Sequence, residues 1–380
     1  MNNFELMTQV PTTPAFILDQ QQFQLNLQRL SVFKQQSGCK LLYSIKALPL
    51  MKLLDATLDI VDGFSVSSLF EARLANEVLA GRGSIHLTTP GIREDQIAEL
   101  ANLCSHISGN SLSQCQLFAE NIMLGECSFG LRINPHLSFA SDLRFDPCRP
   151  YSKLGVDIQG LQASDMPINI EGLHVHTVFS ALDVEPLLKT VEVLLTQAEA
   201  ILPRLKWLNL GGGYLFDRIT DLTPVVELVK RIQSRYDLQV FIEPGKAVVG
   251  SAGYLVSSVV DCFISDDKAL AVLDTSVNHY SEVFEYQREP ALMGHLERGV
   301  FPVMLVGSSC LAGDIFGEYR FNQPLQRKDR VVFNDVGAYT LIKANRFNGY
   351  PLPDIYWLNA GELTLVKRDS YLDYRRQWTE

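Results

Sequence analysis

The 380-residue chain lacks any C-x-x-C pair, although it carries seven cysteines: Cys39, Cys104, Cys115, Cys127, Cys148, Cys262 and Cys310. An odd and scattered set excludes a zinc ribbon and a disulfide framework, and reads as reduced thiols of a cytosolic protein. The chain also lacks an excess of positive charge. Its 33 Lys and Arg against 43 Asp and Glu leave a formal net charge of −10, which argues against nucleic-acid binding. It has no apolar run of membrane length. The most apolar segment, Val248–Val260, is broken by glycine and serine and is too short to cross a bilayer. Met1–Pro14 has neither a basic start nor an apolar stretch, so no signal peptide is expected. Internal repeats and low-complexity linkers are missing as well.

Material for a core is plentiful, with 47% hydrophobic residues, and the length suggests two domains. Eight short β-rich runs occupy the first two thirds: Lys40–Ile45, Val61–Val66, Ser84–Thr88, Cys104–Ser108, Ser128–Ile133, Ile168–His176, Lys206–Leu210 and Val240–Glu243. Helical spacing of apolar residues separates most of them, as in Leu69–Ala80 and in Pro186–Ile201, whose opening proline suits a first turn. A further helix over Gln21–Gln35 precedes the first strand. Eight βα alternations in this length predict a (β/α)8 barrel over residues 20–245. Beyond it, strand-like segments follow at short intervals: Tyr254–Val260, Leu270–Asp274, Val300–Val306, Arg330–Phe333 and Leu363–Val366. Residues 246–380, joined by 1–19 with its strand-like Ala15–Leu18, therefore form a β-rich second domain. The fold class expected is α/β, a barrel plus a C-terminal β-rich domain.

Chemistry in such a barrel sits at the C-terminal ends of the strands. Those ends carry Lys46, Arg132, His174 and His176, the Gly211-Gly212-Gly213 run, and Glu243 with Pro244 and Gly245. Taken singly each is weak. A lone lysine is usually solvated, a glycine run is usually a turn, and a histidine is often a satisfied core residue. Together they meet four needs of one cofactor. A lysine forms an imine with an aldehyde, and a glycine turn brings N–H groups to a phosphate. A carboxylate keeps a pyridine nitrogen protonated, and a flat imidazole covers the ring. These are the requirements of pyridoxal 5′-phosphate.

The chain resembles the alanine-racemase-fold, type III pyridoxal-phosphate decarboxylases, most closely the carboxynorspermidine/carboxyspermidine decarboxylases. The segments that carry the resemblance run nearly end to end: TPAFILD (Thr13–Asp19), YSIKA (Tyr43–Ala47), GLHVH (Gly172–His176), LNLGGGY (Leu208–Tyr214) and FIEPGKA (Phe241–Ala247). They continue through LDTS (Leu273–Ser276), GSSCLAGD (Gly307–Asp314), DVGAYT (Asp335–Thr340), NRFNG (Asn345–Gly349) and LDYRRQW (Leu372–Trp378). The resemblance implies Lys46 as the imine-forming lysine and His176 as the ring-stacking histidine. Gly212 and Gly213, with Gly245, match the phosphate loop, Glu243 the acid at the pyridinium nitrogen, and Arg132 an arginine near the ring hydroxyl. Tyr339 matches a tyrosine that reaches the phosphate. It also implies a homodimer in which Cys310 and Asp314 enter the partner's site, Cys310 returning a proton to the α-carbon. A buried small hydrophobe is the commoner fate of a cysteine.

Two segments depart from that pattern. The loop after the stacking histidine is Thr177-Val178-Phe179-Ser180-Ala181, without the acid and cysteine usual there, and Lys246 stands where a glutamate is common. Lys246 is a candidate for the phosphate or a substrate carboxylate. Glu282, Glu285, Asp314 and Glu318 are candidates for a distal amine. The implied activity is decarboxylation of an amino acid, carboxynorspermidine or carboxyspermidine first, another diamino acid or siderophore-type precursor second. Three rivals have weaker footing. A racemase of this fold pairs the ring nitrogen with arginine, against Glu243. A metal-dependent hydrolase would use His174-x-His176 but leaves Lys46 unexplained, with His86, His106 and His136 badly placed. A regulatory pseudoenzyme would more readily have lost Lys46 or Cys310. No metal, nucleic-acid or membrane partner is expected.

Overall fold

A computed structural model describes residues 5, 7–121, 127–159, 161, 164, 166, 167 and 169–379. The chain divides into two compact units, Asn26–Val248, and Met1–Leu25 with Val249–Glu380. The first strand, β1 (Ala15–Asp19), belongs to the second of these.

The unit Asn26–Val248 is a closed parallel barrel. Its strands are β2 (Lys40–Ser44), β3 (Gly63–Val66), β4 (Ser84–Thr88), β5 (His106–Gly109), β6 (Ser128–Asn134), β8 (Ile170–Val175), β9 (Trp207–Asn209) and β10 (Gln239–Ile242). The order β5-β4-β3-β2-β10-β9-β8-β6 closes on itself through a β5–β6 pairing, while β7 (Val156–Asp157) adds to β6. All pairings are parallel. Strands covered on both faces read as apolar runs rather than alternations. Leu41-Leu42-Tyr43 and Val240-Phe241-Ile242 are accordingly buried throughout, each such side chain contributing roughly 1.5–3 kcal/mol.

Every expected barrel strand is present; the ends differ. Val61 and Cys104 lie outside their strands because their N–H groups cap the preceding helices, donating to Thr57 and Leu100 carbonyls that would otherwise lack partners. Ile168 lies outside the described residues. The helix expected over 186–201 spans Glu185–Gln197. After β6 the chain makes only a 3-10 turn, Leu143–Phe145, before β7.

One layer of the barrel interior is aromatic. His86 and His106, level with each other on β4 and β5, stack at 3.9 Å and 9°. Phe241 lies 4.4 Å from His86 and Trp207 lies 5.4 Å from His106, centroid to centroid. Trp207 Nε1 donates to Ser128 Oγ at 2.8 Å. Burial lowers the proton affinity of both imidazoles, His106 to about 4 and His86 well below the ordinary value, where its neighbour His106 adds to the effect.

The other unit is a mixed sheet. It contains β11 (Gly253–Ser265), β12 (Lys268–Leu273), β13 (Phe301–Val306), β14 (Ile315–Phe321), β15 (Arg330–Phe333), β16 (Asp354–Asn359) and β17 (Glu362–Lys367). The order is β14-β13-β12-β11-β1-β16-β17, with β15 also on β11. β1 pairs antiparallel with β11 and parallel with β16, so the N-terminal strand joins the C-terminal sheet as expected. Met7, Val10, Ala15, Ile17, Val256, Val332, Tyr356 and Leu358 form its core. The strands β14 and β16 were not expected from the sequence.

Candidate active site

Lys46 sits in a 3-10 turn, Ile45–Ala47, just past β2. Ile45 and Ala47 are buried on either side while the lysine is exposed, so the turn presents one amine. Ser44 N–H donates to the Pro244 carbonyl at 3.0 Å, fixing this turn to the end of β10, where Glu243 stands. The register of β2 with β3 pairs Ser44 with Ser65 and brings the next turn alongside. There Ser67 N–H donates to Glu71 Oε2 at 2.7 Å. Burial pushes the half-buried Glu71 carboxyl above the ordinary range, with the Ser67 N–H and the nearby Lys46 acting against it.

Glu243 is buried and accepts from Asn209 Nδ2 at 2.8 Å. A carboxylate this deep requires positive neighbours. Arg132, also buried, supplies one: burial lowers its proton affinity, and the charge of Glu243 works to restore it. His174 and His176 flank the same carboxylate, and ligand atoms from the three lie within 4.8 Å of one another. A metal would suit that spacing, yet Arg132 and Lys46 crowd the two imidazoles with positive charge. His176 is held neutral, its proton affinity lowered to about 3 by burial and then by Arg132 and Lys46, against the Val178 carbonyl.

The glycine turn is bound into this group. Gly211 N–H donates to Asn209 Oδ1 at 2.9 Å and Gly212 N–H to His176 Nδ1 at 3.1 Å, so one strand end orients both the Glu243 partner and the ring. Gly213 has φ +91, which disfavours other residues, and a Cβ on Gly212 would stand 2.1 Å from the Glu243 carbonyl. The loop after His176 is fastened to the turn as well, Ala181 N–H donating to the Gly213 carbonyl at 2.8 Å. A presented amine, a neutral flat ring, a pinned carboxylate, a buried guanidinium and a glycine cradle together fit pyridoxal 5′-phosphate.

Gly245 and Lys246 follow Glu243 within three residues, whereas the other candidates belong to the sheet unit. Gly245 is buried and Lys246 half-buried at the start of a one-turn helix, Lys246–Val249. In the sheet unit, Cys310 is exposed, and its N–H donates to Asn348 Oδ1 at 2.8 Å, so the GSSCLAGD and FNG segments meet. Asp314 is buried within its own loop. Its Oδ1 accepts from Val277 N–H at 2.8 Å, and its Oδ2 from Ser309 N–H at 3.0 Å and Ser309 Oγ at 2.5 Å. Glu282 is buried and its Oε1 has no partner among the described residues. Tyr339 is half-buried in a left-handed backbone, φ 61.

Sequence reasoning missed three neighbours of the group. Asn209 had a signal, since it lies two residues before Gly211 on one strand face. Glu71 had only its nearness to a strand end. Cys148 had none: the irregular segment after β6 places its Sγ 3.9 Å from the His176 carbonyl, and burial pushes the thiol up to about 12.

The model of the pyridoxal-dependent decarboxylase family, described by its C-terminal sheet domain, matches residues 17–337. A carboxynorspermidine/carboxyspermidine decarboxylase of Campylobacter jejuni is 34% identical, over 95% of this chain and 97% of its own. A carboxyaminopropylagmatine decarboxylase of Synechocystis is 33% identical, over 96% of this chain and 95% of its own. The crystal structure of carboxynorspermidine decarboxylase from Campylobacter jejuni, complexed with norspermidine, superposes with a TM-score of 0.87. It is 30% identical and covers 96% of this chain and 100% of that one.

Proposed function

Because the chain belongs to the pyridoxal-dependent decarboxylase family, we propose that it removes the α-carboxylate of a carboxylated polyamine, carboxynorspermidine or carboxyspermidine. The observation that carries the site assignment is the convergence of Arg132, His176, Gly211–Gly213 and Glu243 beside the turn of Lys46. The full-length similarity to the Campylobacter jejuni enzyme supports the substrate.

When bound, pyridoxal phosphate supplies the electron sink for the pair released with carbon dioxide. Lys46 would hold the aldehyde of the cofactor through its amine. Glu243, hydrogen-bonded by Asn209 and facing the charge of Arg132, would hold the proton on the ring nitrogen. His176 would cover one ring face as a neutral imidazole and so add no charge. Gly212 and Gly213, with Gly245 and Tyr339, would hold the phosphate. In a homodimer with shared sites, Cys310 holds at Sγ the proton returned to the product carbon, and Asp314 keeps its loop in shape. Glu282, a buried acid with an open oxygen, accepts the distal ammonium, a part the Ser180–Ala181 loop lacks the charge to play. Lys246 takes the substrate carboxylate before it leaves.

A panel of carboxynorspermidine, carboxyspermidine, carboxyaminopropylagmatine, ornithine, lysine and diaminopimelate, followed by product mass spectrometry, tests the substrate. The first two should turn over best. Turnover of neither, with release of carbon dioxide from another member, would replace the substrate and keep the reaction. No turnover of any would favour the regulatory pseudoenzyme.

A further inference from the structure

Among the described residues, the carboxylate of Glu243 is hydrogen-bonded at one oxygen. Asn209 Nδ2 donates to Oε1 at 2.8 Å, whereas Oε2 faces His174 Nε2 at 3.9 Å. Both side chains are buried, and His174 Nε2 has no hydrogen-bond partner among the described residues. A ring nitrogen left unpaired at this depth is costly, and such groups are rare unless they serve a purpose.

The other ring nitrogen is accounted for. Thr88 Oγ1 stands 3.3 Å from His174 Nδ1. If the hydroxyl donates, the single proton of the neutral ring sits on Nε2 and points at the carboxylate. The opposite tautomer would set a lone pair against a negative oxygen. Strand register builds the arrangement, with Arg132, His174 and Asn209 level across β6, β8 and β9. Thr88, His174, Glu243 and Asn209 thus form one line of side chains, from β4 through β8 and the end of β10 to β9. The charged groups facing His174 are Arg132, Lys46 and Glu243, with the imidazoles of His176 and His86 beside them. Burial first, then Arg132, His176, Lys46 and His86, oppose a second proton, so the ring stays a neutral donor.

We propose that His174 is a positioning residue for Glu243: its Nε2–H and Asn209 Nδ2 clamp the two carboxylate oxygens, keeping the carboxylate turned toward the ring nitrogen of the bound cofactor. The role rests on the pyridoxal-phosphate assignment above. It asks for a closure of the Nε2–Oε2 separation from 3.9 Å to about 2.9 Å on loading. It also gives the GLHVH segment two distinct histidines, one covering the ring and one acting through the acid.

The test uses the full-length protein loaded with pyridoxal phosphate, as wild type, His174→Phe and His174→Gln. A crystal structure of the loaded wild type should place Nε2 within about 3.2 Å of Glu243 Oε2. His174→Phe should weaken cofactor binding about tenfold by equilibrium dialysis. It should also lower the pH at which the ring nitrogen loses its proton by about one unit, read by NMR of cofactor isotopically labelled there. His174→Gln, which retains a donor, should recover most of both. Should His174→Phe fail to fold, Thr88→Val, which frees the tautomer, should give smaller changes of the same sign. Wild-type affinity and titration in His174→Phe, equal losses in both His174 variants, or no effect of Thr88→Val would overturn the proposal. A wild type that takes up no pyridoxal phosphate would remove the cofactor assignment, and this role with it.

Discussion

Two histidine pairs occupy successive layers of one barrel and do opposite things. His86 and His106 stack on each other among Trp207 and Phe241, with Ser84 and Ser105 hydroxyls on their ring nitrogens. His174 and His176 stand two residues apart at the rim among Lys46, Arg132 and Glu243. Both pairs are held neutral, and burial is the leading cause in each. A low proton affinity therefore does not mark a functional histidine. The mark is company: the lower pair has aromatic partners that fill space, whereas the rim pair has ionised partners, a glycine turn and an unpaired nitrogen.

The sharpest way to break this contrast is to remove one group from each layer. Lys46→Ala should lower decarboxylation by at least about a thousandfold, some 4 kcal/mol of barrier, with the thermal midpoint unmoved; steady-state rates and a melting curve check both halves. Trp207→Ala should do the reverse, costing about 3–5 kcal/mol of stability by denaturant titration and leaving the rate per folded molecule nearly unchanged. A rate loss in the second variant as large as in the first would erase the distinction between layers.

A smaller effect follows from pH. His106 binds its proton near 4 in the fold and near 6.5 when unfolded. Between those values the unfolded chain holds more protons, so stability is full above about pH 6.5 and declines as pH falls toward 4. Urea titrations at successive pH values should show that slope. His106→Leu should reduce it without abolishing it, because His86, His174 and His176 are also held neutral. The smallest effect belongs outside both layers. Lys206, mostly exposed, pairs with Glu171 at the surface, and Lys206→Ala should change stability by less than about 1 kcal/mol.

The rim was legible in the sequence because its residues sit at strand ends, and strand ends are where periodicity breaks. Lys46, His176, the glycine turn and Glu243 fall at such breaks, and Arg132 lies two residues before the end of β6. The lower layer was not legible. His86 and His106 lie within β4 and β5 and meet only because those strands pair in register, which no local pattern encodes. The same limit explains Cys148, delivered by an irregular segment after β6. It also explains Asp314, which reads as an open acid in GSSCLAGD but has both oxygens occupied by Val277 and Ser309. In the sheet unit, β16 was overlooked although its Ile-Tyr-Trp-Leu run favours a strand. The Pro-rich approach to it, Pro351 to Pro353, obscured the boundary.

The measurement that bears most directly on the rim is covalent trapping. The purified protein, incubated with pyridoxal phosphate and reduced with borohydride, should carry the cofactor on Lys46 alone, located by peptide mass spectrometry. Protein that remains unlabelled, or labelled equally at exposed lysines such as Lys206 and in the Lys46→Ala variant, would contradict the account.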